Sequence, residues 1–500
     1  MLGYFPNFPR LTKPSCNSHC EANRQLKVSC AAGEPKTMNY KAALAYIEGF
    51  IDYERSPDFS RQARLYNLDR ISLLLELLGN PHNKLRVIHI AGSKGKGSTA
   101  ALIASALTHA DYKTGLFTSP HLITPRERCR IDGELISQSD VAYYIEKLKP
   151  AIETVSTSEF GRVSFFEIYT ALAFSYFLDK GTDFAVIEVG LGGRLDATNV
   201  VTPVVTTITP IGLEHTTILG ETYTEIAKEK AEIIKQGCPV ALAPQHPEAR
   251  AVFEKVARER EAPIVESKDL VVQDSCASNP GLVRNADGMP IAQQFDLETD
   301  SERYPQLMMP LLGHHQFINA TTAVAAIECL KQSGYIIPKT SIYTGFKNVQ
   351  WHGRIQRIKS SPIVVLDGAH SPASMEALCR TLRQSFRYSR VTFIVSLMRD
   401  KNLTAIGSVI SQTADFVITT QILNNRRVTP AEEIQRAWKS MFDKITVCST
   451  PEEAITKALS DASPTDLICV TGSLYLVGQA LEIFKSSFSA KDLIGIPPSQ

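Results

Sequence analysis

The chain reads as an α/β protein of two domains, each built around a mostly parallel sheet. Three observations predict this. Its 500 residues exceed what one ordinary core organises. Short apolar runs alternate with helical stretches along most of its length, as in βαβ units. Residues 85–99, Leu-Arg-Val-Ile-His-Ile-Ala-Gly-Ser-Lys-Gly-Lys-Gly-Ser-Thr, run from a buried strand through a glycine loop into a helix.

Residues 1–37 come first and differ from the rest. They carry five basic residues (Arg10, Lys13, Arg24, Lys27, Lys36) against two acidic ones (Glu21, Glu34) and show no periodicity. This stretch reads as an organelle transit peptide, with a mitochondrial matrix address expected and cytosol or plastid as the alternatives; a disordered extension is the other reading. Amphipathic sequence begins at Met38 and opens a first domain over 38–348. Its expected strands are Val87–Ile90, Phe184–Val189, Val204–Ile208 and Val240–Ala243. A helix begins at Ser98, and another covers Tyr223–Lys235. Residues 267–305 are polar and irregular, a loop excursion with room for hairpins, and a helix from Gln316 to Gly334 closes the domain. Residues 349–361 form a basic, aromatic link. The second, smaller domain (362–500) has strands at Ile363–Leu366, Val391–Val395, Phe416–Thr419 and Leu467–Val470, with helices at Ser374–Phe386 and Pro430–Met441.

Composition excludes several classes. Hydrophobic residues make up 44% and charged residues 21%, as in soluble globular proteins, and the net charge of +1 gives no bulk field for nucleic acid or an anionic membrane. No apolar run approaches the roughly 18–20 residues needed to span a bilayer. The ten cysteines are scattered; Cys16 and Cys20 lie four apart, but no second pair completes a zinc pattern. They suit a reducing compartment.

The chemistry begins in the glycine loop. Gly92, Gly95 and Gly97 let backbone N–H groups close on an anion, the helix N-terminus adds positive potential, and Lys96 reaches outer phosphates. Ser93 belongs to the same cradle, and the Ser98 hydroxyl is placed for Mg²⁺. The loop therefore predicts ATP. Its spacing is shorter than G-x-x-x-x-G-K-[ST], with Gly97 between Lys96 and Ser98. Lys94 reads equally as a phosphate contact or a solvated loop charge. Glu188 sits inside an apolar strand, where an unpaired charge is costly and a metal ion is the usual reason. The next strand ends at Glu214-His215, and Lys230 follows on a helix.

Beyond single positions, an ordered series of motifs resembles the folate branch of the Mur ligase superfamily, dihydrofolate synthase and folylpolyglutamate synthase. It runs from Met38 almost to the C-terminus. It includes Ala91–Thr99, Thr118–Leu122, Glu127–Gly133, Phe165–Glu167, Glu188–Asn199 and Ile211–His215. Further on come Ile226–Ala231, Gly313–Ala320, Trp351–Arg354, Asp367–His370 and Thr471–Tyr475. The resemblance implies a Mur ligase-like, P-loop ATPase-type first domain and a Rossmann-like second one. It implies that Ser98, Ser119 and Glu188 surround one Mg²⁺ and that His215 and a carbamylated Lys230 hold a second. Arg354, Asp367, His370, Gln316 and Asn319 join the nucleotide contacts. Lys96, Lys230, His215 and Arg354 form the catalytic group. Pro120, His121, Arg128, Phe165, Phe166 and Arg194 are the candidates for substrate, with core packing an equal reading for either phenylalanine.

The implied reaction is ATP-dependent amide formation between L-glutamate and a pterin-bearing carboxylate, by a monomer with no nucleic-acid or membrane partner. Dihydropteroate is favoured as acceptor over a folate, because the stretch Leu397-Met-Arg-Asp-Lys401 is similar to bacterial members. A P-loop phosphotransferase, an inactive nucleotide-binding module and a cell-wall Mur ligase are the alternatives. Four positions depart from the family pattern: Glu214 for Asp, Glu232 for Gly, Ser371 for Asn, and the Val395–Asn402 stretch.

Overall fold

A computed structural model describes residues 38–52, 67–267, 281–488 and 493–494. The expected transit peptide, residues 1–37, lies outside the described residues.

The first domain is built on eight strands. They are β1 (Val87–Ala91), β2 (Thr114–Phe117), β3 (Cys129–Ile131), β4 (Glu134–Leu135), β5 (Phe184–Glu188), β6 (Val205–Ile208), β7 (Val240–Leu242) and β8 (Ile264–Glu266). Their order is β4-β3-β2-β5-β1-β6-β7-β8. The strands from β2 to β8 in that order run parallel, while β3 and β4 turn back antiparallel at one edge. Both β1 and β5 are buried at every position, which is why they read as continuous apolar runs rather than alternating ones.

Helices cover both faces. In chain order they are α1 (Tyr40–Glu48), α2 (Asp69–Leu77), α3 (Lys96–Thr108), α4 (Gln138–Ser156), α5 (Phe165–Asp179), α6 (Thr216–Leu219), α7 (Tyr223–Ala231), α8 (Pro247–Glu259), α9 (His314–Gln332) and α10 (Lys339–Asn348). One apolar cluster joins α3, α9 and α10 to one face, and a second packs α1, α2, α4 and α5 on the other. A third lies under α7 and α8. Helix α5 is buried almost all round, so it shows no polar stripe.

The polar excursion is an antiparallel sheet of β9 (Leu282–Arg284), β10 (Pro290–Glu298) and β11 (Arg303–Met309), apart from residues 268–280, which lie outside the described set. Along β10, Ala292, Phe295 and Leu297 are buried while Ile291, Asp296 and Glu298 are exposed, so the strand is amphipathic at period two. The helix expected at Gln316–Gly334 is α9, and α10 follows it to close the first domain.

The second sheet contains β12 (Gln356–Ser360), β13 (Ile363–Leu366), β14 (Val391–Val395), β15 (Phe416–Thr420), β16 (Ile445–Cys448) and β17 (Leu467–Thr471), in the order β12-β13-β17-β14-β15-β16. Part of the 349–361 link is thus β12, which pairs antiparallel with β13 at the edge. The helices are α11 (Pro372–Ser385), α12 (Leu403–Ser411), α13 (Ala431–Trp438), α14 (Pro451–Asp461) and α15 (Leu474–Ser487). Ser371 caps α11, its side chain accepting from the Ser374 N–H, so the helix starts at Pro372 rather than Ser374. Among the described residues no helix is long and apolar enough to cross a membrane.

Helices α3 and α10 cross closely. A Cβ on Gly345 would fall 2.6 Å from the Ala106 Cα, and the Ser105 hydroxyl donates to the Gly345 carbonyl at 2.7 Å. Gly345→Ala should therefore force the helices apart and destabilise the fold by about 1–3 kcal/mol, read as a lower Tm. An unchanged Tm would mean that the crossing tolerates a methyl group.

Candidate active site

Strand β1 delivers the glycine loop at the C-terminal edge of the sheet, where open parallel sheets place ligands. Gly92 has φ +151°, and a Cβ there would lie 1.8 Å from Thr209 Oγ1. The Ser93 and Lys94 N–H groups donate to the Pro210 carbonyl at 3.0 and 3.2 Å, and the Ser93 hydroxyl donates to the Gly212 carbonyl at 3.0 Å. Gly95, at φ +84°, starts α3, so the helix begins at Lys96 rather than Ser98. A Cβ on Gly95 would lie 2.0 Å from Asn319 Oδ1, and one on Gly97 would lie 2.8 Å from the Trp351 ring. Ser98 is buried in the first turn. The loop is thus clasped from three sides at positions where only glycine fits.

Glu188 ends β5 beside it. Its Oε1 lies 3.9 Å from Lys96 Nζ, and its Oε2 accepts from the Ser119 N–H at 3.2 Å. Burial pushes this carboxyl up, while Lys96, Ser119 and Arg354 oppose the shift. One lysine at 3.9 Å satisfies a buried carboxylate incompletely, so the position suits a further cation. Ser98, Ser119 and Glu188 fit Mg²⁺, which takes few protein oxygens beside water and phosphate. Among the described residues no three His, Cys, Asp or Glu side chains gather as a metal cluster.

Glu214 and Lys94 explain each other. The Lys94 ammonium pairs with the Glu214 carboxylate, with part of the lysine side chain still open to solvent. Burial would raise Glu214, but Lys94, His370 and His215 overcome it and hold the group at about 2. The longer arm of Glu at this position is what reaches Lys94. His215 follows in the left-handed region at φ 52°. Burial, with Lys401 and other cations, pushes it down to about 4, leaving a neutral imidazole able to ligate metal. Lys230 is 4% exposed on α7 and is pushed down to about 7 by burial and by Lys96. Glu232 bonds Arg260 at 2.7 Å.

The second domain meets this site through Arg354, Asp367 and His370. Asp367 accepts from the Ile355 and Ala369 N–H groups, both at 2.8 Å. Burial pushes Arg354 down, while Asp367 in its own domain and Glu188 in the first hold its charge. His370 Nδ1 donates to the Gly368 carbonyl at 2.7 Å, and burial with Lys94 and Lys401 pushes the ring down to about 3. Gln316 and Asn319 are buried on α9, bonded to each other at 2.8 Å, with Asn319 on the glycine loop. Lys401 is an addition. The sequence contained it only within a stretch noted for its departures, and the fold brings its charge to His215 and His370.

A cavity of about 260 Å³ lies on the α5 side of β5. Phe166, Glu167, Arg70, Gly190, Arg194 and Asp196 are among its walls. Phe166 fills the space that a Cβ on Gly190 would need, 2.6 Å from its ring. Arg194 is half-exposed and bonds Glu229 at 3.0 Å. Arg70 is held by Glu167 at 2.9 Å. Nothing in the spacing around Arg70 marked it, because its partner is far along the chain. Three substrate candidates pack against one another away from solvent. Arg128 is fully buried, donates to His121 Nδ1 at 3.0 Å and lies over the Phe165 and Tyr169 rings at 5.2 and 5.7 Å. His121 and Phe165 are buried with it, because a guanidinium without solvent needs acceptors and ring faces. Pro120 is exposed and lies outside the cavity lining.

Lys94→Met leaves Glu214 without its cation. The pair is partly screened by solvent, so a loss of about 1–2 kcal/mol is expected. Adding Glu214→Gln should recover most of it, in a double-mutant cycle read by denaturant unfolding. Additive losses would show that the pair does not stabilise the loop.

Known proteins share this fold and sequence. The Mur ligase middle domain matches residues 90–327, and the Mur ligase glutamate ligase domain matches residues 353–474. A Bacillus subtilis dihydrofolate synthase/folylpolyglutamate synthase is 34% identical over 447 residues, covering 88% of this chain and 97% of its own. A Saccharomyces cerevisiae dihydrofolate synthetase is 33% identical, covering 84% and 98%. The solved Mycobacterium tuberculosis folylpolyglutamate synthase complexed with ADP superposes with a TM-score of 0.78 at 30% identity, over 89% of this chain and 99% of that one. The chain belongs to the dihydrofolate synthase/folylpolyglutamate synthase family of Mur ligases, ATP-dependent enzymes that form an amide bond.

Proposed function

We propose that this chain joins the amine of L-glutamate to the carboxylate of 7,8-dihydropteroate, giving dihydrofolate, ADP and phosphate. The observation that carries the reading is the shared position of Glu188. It faces Lys96 of the glycine loop and, across the domain boundary, Arg354. Cations from both domains thus converge on the point where a γ-phosphate would sit, and the cavity holding Phe166 opens from the same strand.

The acceptor carboxylate attacks the γ-phosphorus and ADP leaves, giving an acyl phosphate. The glutamate amine then attacks the acyl carbon, and phosphate departs from the tetrahedral intermediate. Lys96 and Arg354 neutralise charge building on the transferred group, a role worth several kcal/mol in water-excluded sites. Ser98, Ser119 and Glu188 would hold one Mg²⁺, with His215 and Lys230 for a second. These ions supply further charge neutralisation at the phosphates. Asp367 and His370 carry nucleotide contacts from the second domain, and Lys401 brings a cation for a glutamate carboxylate. Closure of the second domain keeps water from the mixed anhydride.

The yeast relative named dihydrofolate synthetase, 98% covered, supports dihydropteroate as acceptor. The Bacillus subtilis relative, which carries both activities in its name, supports a second reading in which the chain also extends folate tails. Phosphate release from MgATP and L-glutamate, with 7,8-dihydropteroate and then tetrahydrofolate, separates them. Turnover requiring both glutamate and dihydropteroate is expected. Turnover with tetrahydrofolate alone would move the chain to polyglutamylation, and release indifferent to glutamate would reject ligation.

Lys230 is expected to carry a carbamate. A neutral buried amine adds CO₂ with loss of one proton, placing an anionic oxygen pair beside Lys96. A ¹³CO₂-dependent carbamate signal, absent in Lys230→Arg, is the check. A free amine under saturating CO₂ would reject it.

A further inference from the structure

His89 has no part in the reaction above, yet it sits at the centre of the sheet with no exposed surface. On β1 it lies opposite Ile187 of β5 and Thr206 of β6. Strand alternation puts it on the same face as Val87, which packs in the cluster under α4 and α5. That is the face of the acceptor cavity. A buried imidazole in an apolar layer is costly unless its nitrogens are used. Its Nε2 lies 2.8 Å from Thr198 Oγ1, and its Nδ1 is buried with no partner among the described residues.

The direction of this chain follows from its partners when Asp196 is ionised. The Thr198 hydroxyl donates to Asp196 Oδ1 at 2.5 Å, and the Thr198 N–H donates to the same oxygen at 3.0 Å. Asp196 Oδ2 accepts from the Leu191 N–H at 2.9 Å. An ionised carboxylate only accepts, and a threonine hydroxyl has one hydrogen. With Asp196 ionised and that hydrogen given to it, Thr198 Oγ1 accepts the next one, which places the His89 proton on Nε2. The orphaned Nδ1 agrees, because it is then a bare lone pair rather than an unbonded N–H. Asp196 is itself nearly buried and forms part of the cavity wall with Phe166 and Arg194. Burial pushes its carboxyl up, and the Thr198 hydroxyl is the largest influence opposing that shift.

We propose that His89 is a positioning residue: as its Nε2–H tautomer it turns the Thr198 hydroxyl onto Asp196 and so keeps that carboxylate oriented where the acceptor binds. The inference rests on the cavity being the pterin acceptor site. It accounts for a polar side chain in the middle of an apolar strand, which packing alone would fill with valine or isoleucine. His89 touches no reacting atom; its effect passes through Thr198 alone.

The test uses the full-length protein and titrates 7,8-dihydropteroate by calorimetry, alongside KM for acceptor and for ATP. Thr198→Val is isosteric and removes the relay, so acceptor affinity should fall roughly tenfold, the scale of a lost hydrogen bond to a charged group. KM for ATP should not move. Thr198→Ser keeps the hydroxyl and should retain affinity. His89→Leu should weaken the acceptor to the same degree, and adding it to Thr198→Val should cost nothing further, because both break one chain. His89→Leu also alters a packed sheet, so the Val/Ser pair decides the matter if that variant folds poorly. Equal losses in acceptor and ATP affinity, additive losses, or unchanged acceptor affinity in Thr198→Val would overturn the inference while leaving the ligase reading intact. An unaltered protein that binds no pterin acceptor would overturn both.

Discussion

A carboxylate buried at the end of a central parallel strand must be met by cations, and the rest of this structure answers that requirement. Glu188 closes β5 with its side chain shielded from water. The glycine loop gives Lys96, the turn after β2 gives the Ser119 N–H, and the second domain gives Arg354. None of the three alone offsets the desolvation of a carboxylate. Their sources explain the architecture. Strands β1 and β5 are neighbours, β2 flanks β5, and the second domain reaches the same edge through the residues just before β12. A carboxylate that gathers contacts from three segments also registers whether all three are in place.

Close approach is the second constraint, and glycine is how it is met. Gly92, Gly95 and Gly97 admit Thr209, Asn319 and Trp351 into space that any side chain would occupy. Gly193 lets its turn lie against α7, where a Cβ would sit 2.9 Å from the Lys230 Cα. Gly368 admits Leu474, with Arg354 Nη1 2.9 Å from the Cβ position. Together these contacts join segments around the phosphate site to the end of β6, to α9, to the link, to α7 and to α15. Backbone apposition of this kind leaves few side-chain rotamers to freeze when a nucleotide arrives, so less binding energy goes into ordering.

Much of this was legible in the sequence, and the parts that were not share physical causes. Buried parallel strands such as β1, β5, β13 and β17 announce themselves as apolar runs, and their ends fell within a residue or two of expectation. Short edge strands such as β4 and β12 carry no such run, since one side of them faces solvent or loop. The strands β9 to β11 are short or interrupted by polar residues, with period two evident only in β10, which reads as loop until a partner strand is present. At the site, the glycine loop and Glu188 stood out because their chemistry needs those types, whereas Arg354, Asp367 and His370 entered through the family resemblance. Arg128, His121 and Phe165 are buried together, which the motifs did not show, because a motif identifies a neighbourhood without saying which side chains face solvent. Lys94 and Glu214 lie far apart in sequence, and only the fold makes them a pair. Arg70 and His89 were silent for the same reason.

The run from Glu188 to Asp196 ties the two halves of the chemistry together. One end of it belongs to the phosphate site, and the other lines the acceptor cavity through Asp196. Between them the glycines at 190, 192 and 193 keep the turn compact against Phe166 and α7. On the proposed reading, an acceptor seated beside Phe166 and Asp196 would lie at one end of this turn, with Lys96 and Arg354 near the other. Rigid attachment of both sites to one strand end makes the attack geometry a property of the backbone rather than of mobile side chains. That is the condition under which holding two reactants together contributes most to rate. It also explains why polar side chains such as His89 and Thr198 are worth burying: a shift of Asp196 would misplace the carboxylate at the other end of the acceptor.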